Sequence, residues 1–258
     1  MNLDLTGRSA LVCGGSHGIG KAAAIELAAL GANVTLLSRT EASLKKALSE
    51  LPVKGAQKHA FIALDMNDHA ALAEKVAAAA PFHIVVNNTG GPPGGQASAA
   101  TADEFIAAFS QHLLAGQTIL QAVLPGMKAA HYGRIVNVIS TSVKEPIKNL
   151  GVSNTIRGAV ASWAKTLATE LGGFGITVNN VLPGYTKTAR LDQILGDRAK
   201  ATQQDEAAIA KSMLASVPAA RFADANEIGG VIAFLATPAA GYINGINVPV
   251  DGGRTQSL

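Results

Sequence analysis

The sequence predicts a doubly wound α/β fold, a parallel sheet of Rossmann type covered by helices on both faces. Three observations carry this. Short β-rich runs alternate with long alanine- and leucine-rich stretches of helical character from one end of the chain to the other. Most of the short runs are apolar throughout, as strands are when neither face of a sheet meets water. The first run passes through a glycine-rich turn directly into a helical stretch, an arrangement that offers backbone N–H groups to an anion.

Seven strands are expected, at residues 9–13, 33–37, 58–64, 83–87, 133–139, 177–181 and 246–250. Helices are expected between them at 18–30, 40–51, 68–80, 101–127, 152–171 and 226–236. Two starts carry a capping signature: Thr101-Ala-Asp-Glu104, and Asp224-Ala-Asn-Glu227 as its aspartate variant. Two stretches break the alternation. Residues 89–100 are rich in Gly and Pro, and residues 185–218 form a polar, weakly helical insertion. Both follow the C-terminal end of a strand, where open parallel sheets bind ligands, so they read as the mouth and the mobile lid of a site.

Length and composition bound the rest. A chain of 258 residues with 48% hydrophobic and 15% charged side chains fits one large domain spanning 1–258. Aromatics are only 4%, so the core is built from aliphatic side chains. The net charge of +3 is small, and Lys and Arg are dispersed, which argues against a nucleic-acid partner. The single cysteine, Cys13, lies in an apolar run and reads as a buried core residue, in keeping with a reducing cytosol. The first residues lack the basic flank and apolar stretch of a signal peptide, and no run reaches the ~18 apolar residues of a membrane span. A cytoplasmic protein with no membrane partner is expected.

The first turn reads Cys13-Gly14-Gly15-Ser16-His17-Gly18-Ile19-Gly20. Gly14 permits the tight turn, Gly18 lets backbone approach a diphosphate, and Gly20 lets the helix pack close on the sheet. A dinucleotide site that prefers NAD(H) puts a carboxylate at the end of the second strand. Here that strand ends Leu37-Ser38-Arg39-Thr40 with no acid. Arg39 can fork onto a 2′-phosphate, so NADP(H) is favoured over NAD(H); otherwise Arg39 is a solvated residue at a helix start. Asp65, followed by Met66 at the end of the third strand, either accepts from an adenine amino group or caps the next helix.

These pieces, with Asn87-Asn88-Thr89-Gly90, Ser140, Pro183-Gly184 followed by Thr186 and Thr188, and the closing Val250-Asp251-Gly252-Gly253, resemble the short-chain dehydrogenase/reductase family along almost the whole chain. The resemblance is nearest to its 3-oxoacyl-acyl-carrier-protein reductase-like branch. It implies a nicotinamide cofactor, hydride transfer to or from a carbonyl or alcohol carbon, and a homo-oligomer, a dimer or tetramer. It also implies that Asn88 to Gly90 line the adenosine ribose side and that the Pro183-Gly184 loop holds the carboxamide. Helices 101–127 and 152–171 would form the dimer interface, with Trp163 in the core or in that contact.

The catalytic pattern of the family departs here. The family takes its proton from a tyrosine thirteen residues after the serine, with a lysine four residues later lowering the tyrosine pKa. Counted from Ser140, those positions hold Ser153 and Arg157, and the supporting asparagine is His112. An aliphatic hydroxyl is too weak an acid to replace a phenol, whereas Arg157 can still fork onto ribose hydroxyls. Three substitutes come into view. Tyr185 follows Pro183-Gly184 at the C-terminal end of a strand, while Tyr132 and Tyr242 precede strands and fall at the wrong end. Tyr185 either donates the proton or packs against substrate. His112 has a suitable intrinsic pKa or is structural; ordered water is the third source. Lys144, four after Ser140, is a substrate clamp or a solvated residue. The sequence therefore predicts an NADP(H)-dependent oxidoreductase acting on a small carbonyl or alcohol, against a rival non-catalytic NADP(H)-binding sensor or silent subunit.

Overall fold

The computed structural model describes residues 1–257. Its strands are β1 (Ser9–Cys13), β2 (Asn33–Ser38), β3 (Ala60–Ala63), β4 (Ile84–Asn87), β5 (Gly133–Val138), β6 (Ile176–Pro183) and β7 (Asn247–Val250). They form one parallel sheet in the order β3-β2-β1-β4-β5-β6-β7. The order reverses between β1 and β4, and open sheets bind ligands in the crevice at such a switch point.

The helices are α1 (Gly18–Ala29), α2 (Glu41–Ser49), α3 (His69–Ala79), α4 (Ala102–Phe109), α5 (Ala115–Ala129), α6 (Gly151–Leu171), α7 (Ala189–Thr202), α8 (Glu206–Leu214) and α9 (Ala225–Leu235). One apolar layer joins α1, α2 and α9 to one face of the sheet through Leu27, Leu44 and Ile232. The other joins α3, α5 and α6 through Leu72, Ile119 and Leu167. Cys13 lies in the second layer, fully buried, and burial pushes its thiol up to about 12.

Polar side chains cross this apolar sheet in one file. Asn87, Asn137, Asn180 and Asn247 stand in register on four neighbouring strands. Each amide donates to the next, Asn87 to Asn137 at 2.8 Å, Asn137 to Asn180 at 2.9 Å and Asn180 to Asn247 at 2.8 Å. Buried amides stay cheap only when paired in this way.

Several expected boundaries move. Residues 58 and 59 fall outside β3 because side chains take the place of the ladder: Lys58 N donates to Asn33 Oδ1, and Val34 N donates to His59 Nδ1. The helix expected over 101–127 is interrupted, since Ser110–Leu114 forms a π-turn between α4 and α5. The lid over 185–218 is not weakly helical: α7 and α8 pack together through Leu191, Ile209 and Met213. The Thr101 capping box is complete, with Glu104 N donating to Thr101 Oγ1 at 3.3 Å and Thr101 N donating to Glu104 Oε2 at 2.7 Å. At α9, Glu227 Oε2 accepts from Asp224 N at 2.9 Å. No helix among the described residues is long and apolar enough to cross a membrane.

Candidate active site

A cavity of about 440 Å³ opens at the C-terminal edge of the sheet. Its near wall is the turn between β1 and α1, which supplies Gly14, His17, Gly18 and Ile19. Gly14 has φ +59°, and a Cβ there would collide with the carbonyl of Asn88; one at Gly20 would collide with the carbonyl of Gly14. The turn is therefore closed on a bare backbone. His17 stands at the N-cap of α1 without a side-chain hydrogen bond to the helix and meets only Ser16 Oγ, at 3.0 Å. The helix N-terminus keeps its N–H groups for an anion.

Asn88, Thr89 and Gly90, after β4, continue the wall, and Pro183 at the end of β6 lines the cavity with Gly184, Thr186 and Thr188 beyond it. The far wall holds Ser140 from the end of β5 with Ser153 and Arg157 from α6, whose i, i+4 spacing puts both on one helix face. Ser38, Arg39, Asp65 and Met66 do not line this cavity. Arg39 is exposed at the end of β2, and the buried Ser38 Oγ beside it has no hydrogen-bond partner. Asp65 does not cap α3: its Oδ1 accepts from Asn67 N at 2.9 Å, and Asp68 accepts from Ala71 N at the helix start. Met66 is buried in the core below.

His112 lies in the π-turn, 7% exposed, and its Nδ1 meets Thr89 Oγ1. Burial, and then the charge of Arg157, lower its pKa to about 3. The imidazole is thus held neutral in ordinary buffers, with no imidazolium proton to give. The unfolded chain, with histidine near 6.5, binds the proton that the folded chain refuses. Stability is therefore lost as pH falls from about 6.5 toward 3, by about 3 kcal/mol at pH 4 from this group alone. Urea unfolding at pH 7 and pH 4 is expected to show a smaller pH-dependent loss in His112→Asn than in wild type; equal losses would contradict the assignment.

Arg157 is 7% exposed and donates from Nη1 to Val138 O at 3.0 Å. Burial, and then the charge of Arg190, lower its pKa to about 10, so it stays charged. Ser140 Oγ accepts from Ser142 N at 3.1 Å. Tyr185 also lines the cavity; its ring meets Phe222 edge-on at 6.2 Å, and the Arg254 guanidinium stands 4.9 Å above it. Tyr132 donates to Ala236 O, and Tyr242 is fully exposed, both away from the cavity. Trp163 is half-buried and donates to Gln117 on α5 at 2.9 Å. Lys144 does not line the cavity.

Two participants were not visible in the sequence. Arg190 reaches the cavity from the lid, donating to Pro92 O at 3.0 Å. The Thr89–His112 contact joins residues from two separate elements.

The glycine turn, the helix N-terminus and the orphaned Ser38 hydroxyl beside Arg39 suit a dinucleotide carrying an extra phosphate. Comparisons with known proteins give the family. Residues 14–255 match the family described as Enoyl-(Acyl carrier protein) reductase. The 3-oxoacyl-[acyl-carrier-protein] reductase FabG of Pseudomonas aeruginosa is 32% identical over 262 residues, 99% of this chain and 100% of that protein. A chloroplastic tropinone reductase homolog of Arabidopsis thaliana is 31% identical across 97% of this chain and 76% of its own length. Among solved structures, L-sorbose reductase of Gluconobacter frateurii, complexed with NADPH and L-sorbose, has a TM-score of 0.92 at 27% identity and covers 100% of both chains. YwfH, an NADPH dependent reductase involved in bacilysin biosynthesis, has a TM-score of 0.89 at 27% identity over 97% of this chain and 99% of that one.

Proposed function

We propose, for a chain that belongs to the short-chain dehydrogenase/reductase family, that it is an NADP(H)-dependent oxidoreductase acting on a small carbonyl or alcohol substrate. The observation that carries this reading is one cavity with an anion-binding glycine turn on its near wall and Ser140, Ser153 and Arg157 on its far wall. When bound, NADP(H) supplies or accepts the hydride.

The residues divide the remaining work. Gly14, Ser16, His17, Gly18, Ile19 and Gly20 hold the diphosphate on backbone N–H groups. Ser38 and Arg39 take the 2′-phosphate, and Asp65 with the backbone of Met66 bounds the adenine. Asn88, Thr89 and Gly90 support the ribose. Pro183 and Gly184, with Thr186 and Thr188, hold the carboxamide. Ser140 orients the carbonyl oxygen, and Arg157 keeps a permanent charge near the nicotinamide ribose.

Proton delivery falls to Tyr185. Ser153 is too weak an acid and His112 is neutral, whereas Tyr185 is the one phenol on the cavity wall among the described residues. The working form is a cytosolic homo-oligomer. Ile106, Phe109 and Leu114, exposed along α4 and the π-turn, suit such a contact.

Calorimetry with NADPH and NADH, followed by NADPH oxidation against ketones, 3-oxoacyl thioesters, quinones and diketones, tests the reading. NADPH is expected to bind more tightly than NADH, and Arg39→Asp to weaken NADPH by roughly 10- to 100-fold while sparing NADH. Heat from neither nucleotide, or an unchanged preference in Arg39→Asp, would remove the NADP(H) assignment. Binding with no oxidation of any substrate would favour a sensor or silent subunit.

A further inference from the structure

Building on that reading, we propose that the cavity contains a second anion site, in which Arg157 and Arg190 clamp a carboxylate of the substrate. A Cβ placed at Gly91 would find only two heavy atoms within 4 Å: Arg190 Nη2 at 3.8 Å and Arg157 Nη2 at 3.9 Å. Two guanidinium groups from different elements thus face one small volume above a bare backbone. Arg157 rises from α6 in the floor, and Arg190 descends from the first turn of α7 in the lid.

Among the described residues no carboxylate pairs with this charge. The described hydrogen bonds of the pair run to neutral oxygens: Arg157 Nη1 to Val138 O, Arg190 Nη1 to Gln193 Oε1 and Arg190 Nη2 to Pro92 O, each at 3.0 Å. No Asp or Glu lines the cavity, and the ion pairs among the described residues include neither arginine. The charge of Arg190 lowers the pKa of Arg157, so the two groups repel one another. A buried cation without a counter-ion is costly, and a carboxylate offsets that cost while matching the guanidinium fork.

The dinucleotide does not account for the pair. Its diphosphate is served by the glycine turn at α1 and its 2′-phosphate by Ser38 and Arg39, while the ribose hydroxyls that Arg157 also serves are neutral and leave its charge unbalanced. Gly91 follows Gly90 on the mouth loop and lines the same cavity. The substrate class is therefore an oxo acid or hydroxy acid, and its carboxylate ties the lid to the floor.

The test is calorimetric titration of the NADP⁺-saturated protein with 2-oxo-4-phenylbutanoate and with its methyl ester. Wild type is expected to favour the acid at least about tenfold. Arg190→Gln should weaken the acid by about 10- to 100-fold while leaving the ester unchanged and NADPH affinity within about twofold. Gly91→Asp, which places a carboxylate between the two guanidiniums, is expected to remove the preference for the acid and to raise Tm. Equal affinity for acid and ester in wild type would overturn the clamp, as would an Arg190→Gln variant that loses NADPH affinity while retaining acid selectivity. Selective binding of the acid by a protein that takes up no nucleotide would support the clamp and overturn the dinucleotide reading instead.

Discussion

The double substitution Ser153→Tyr with Arg157→Lys is expected to raise kcat for a neutral ketone such as acetophenone by roughly 10²- to 10⁴-fold, the range that general acid catalysis supplies. Ser153 is half-buried on the cavity wall, so an added phenol grows into open space and not into the core. Lysine one helical turn away keeps a positive charge beside it, and that charge lowers the phenol's pKa. The cost falls on acidic substrates. Losing the fork of Arg157 weakens carboxylate binding, so the gain should appear on neutral ketones and shrink on oxo acids. Tyr185→Phe sharpens the result: it is expected to cut turnover in the parent protein and to matter little in the double variant, where the proton has a new source. A double variant that binds NADPH as the parent does yet gains nothing would show that proton supply is not what limits this site.

The parts of the fold readable in the sequence were those set by local chemistry. Continuous apolar runs marked both-face burial, and the glycine turn could be placed because Gly14 and Gly20 leave no room for a Cβ. The amide file was present in the sequence as one asparagine at matching depth in four strands, a signal that only pairing register makes meaningful. Other features depended on tertiary placement. The pKa of His112 is decided by burial and by Arg157, forty-five positions away, and intrinsic acidity gave no warning of it. Arg190 sat in a stretch read as a loose polar lid; its role emerges only when α7 and α8 close on Leu191, Ile209 and Met213 and hold it over the cavity.

Ser140→Ala is expected to lower kcat by about 10²- to 10³-fold, the loss seen when a donor to a developing oxyanion is removed. The hydroxyl of Ser140 accepts from Ser142 N, which occupies a lone pair and leaves its own proton free to turn toward a carbonyl oxygen in the cavity. That bond matters most as negative charge builds on the oxygen, so the loss should fall on kcat more than on KM. Ser140 also caps the short 3₁₀ turn Thr141–Val143, and a collapsed turn could imitate a catalytic defect. Ser140→Thr separates the two effects because it retains both the hydroxyl donor and the cap, and it is expected to recover most of the activity. NADPH affinity should stay level across wild type and both variants, since the glycine turn lies on the opposite wall. If the alanine variant keeps turnover within about threefold of wild type, the carbonyl oxygen is held by another group, and Arg157, charged and buried beside Ser153, is the first to examine next.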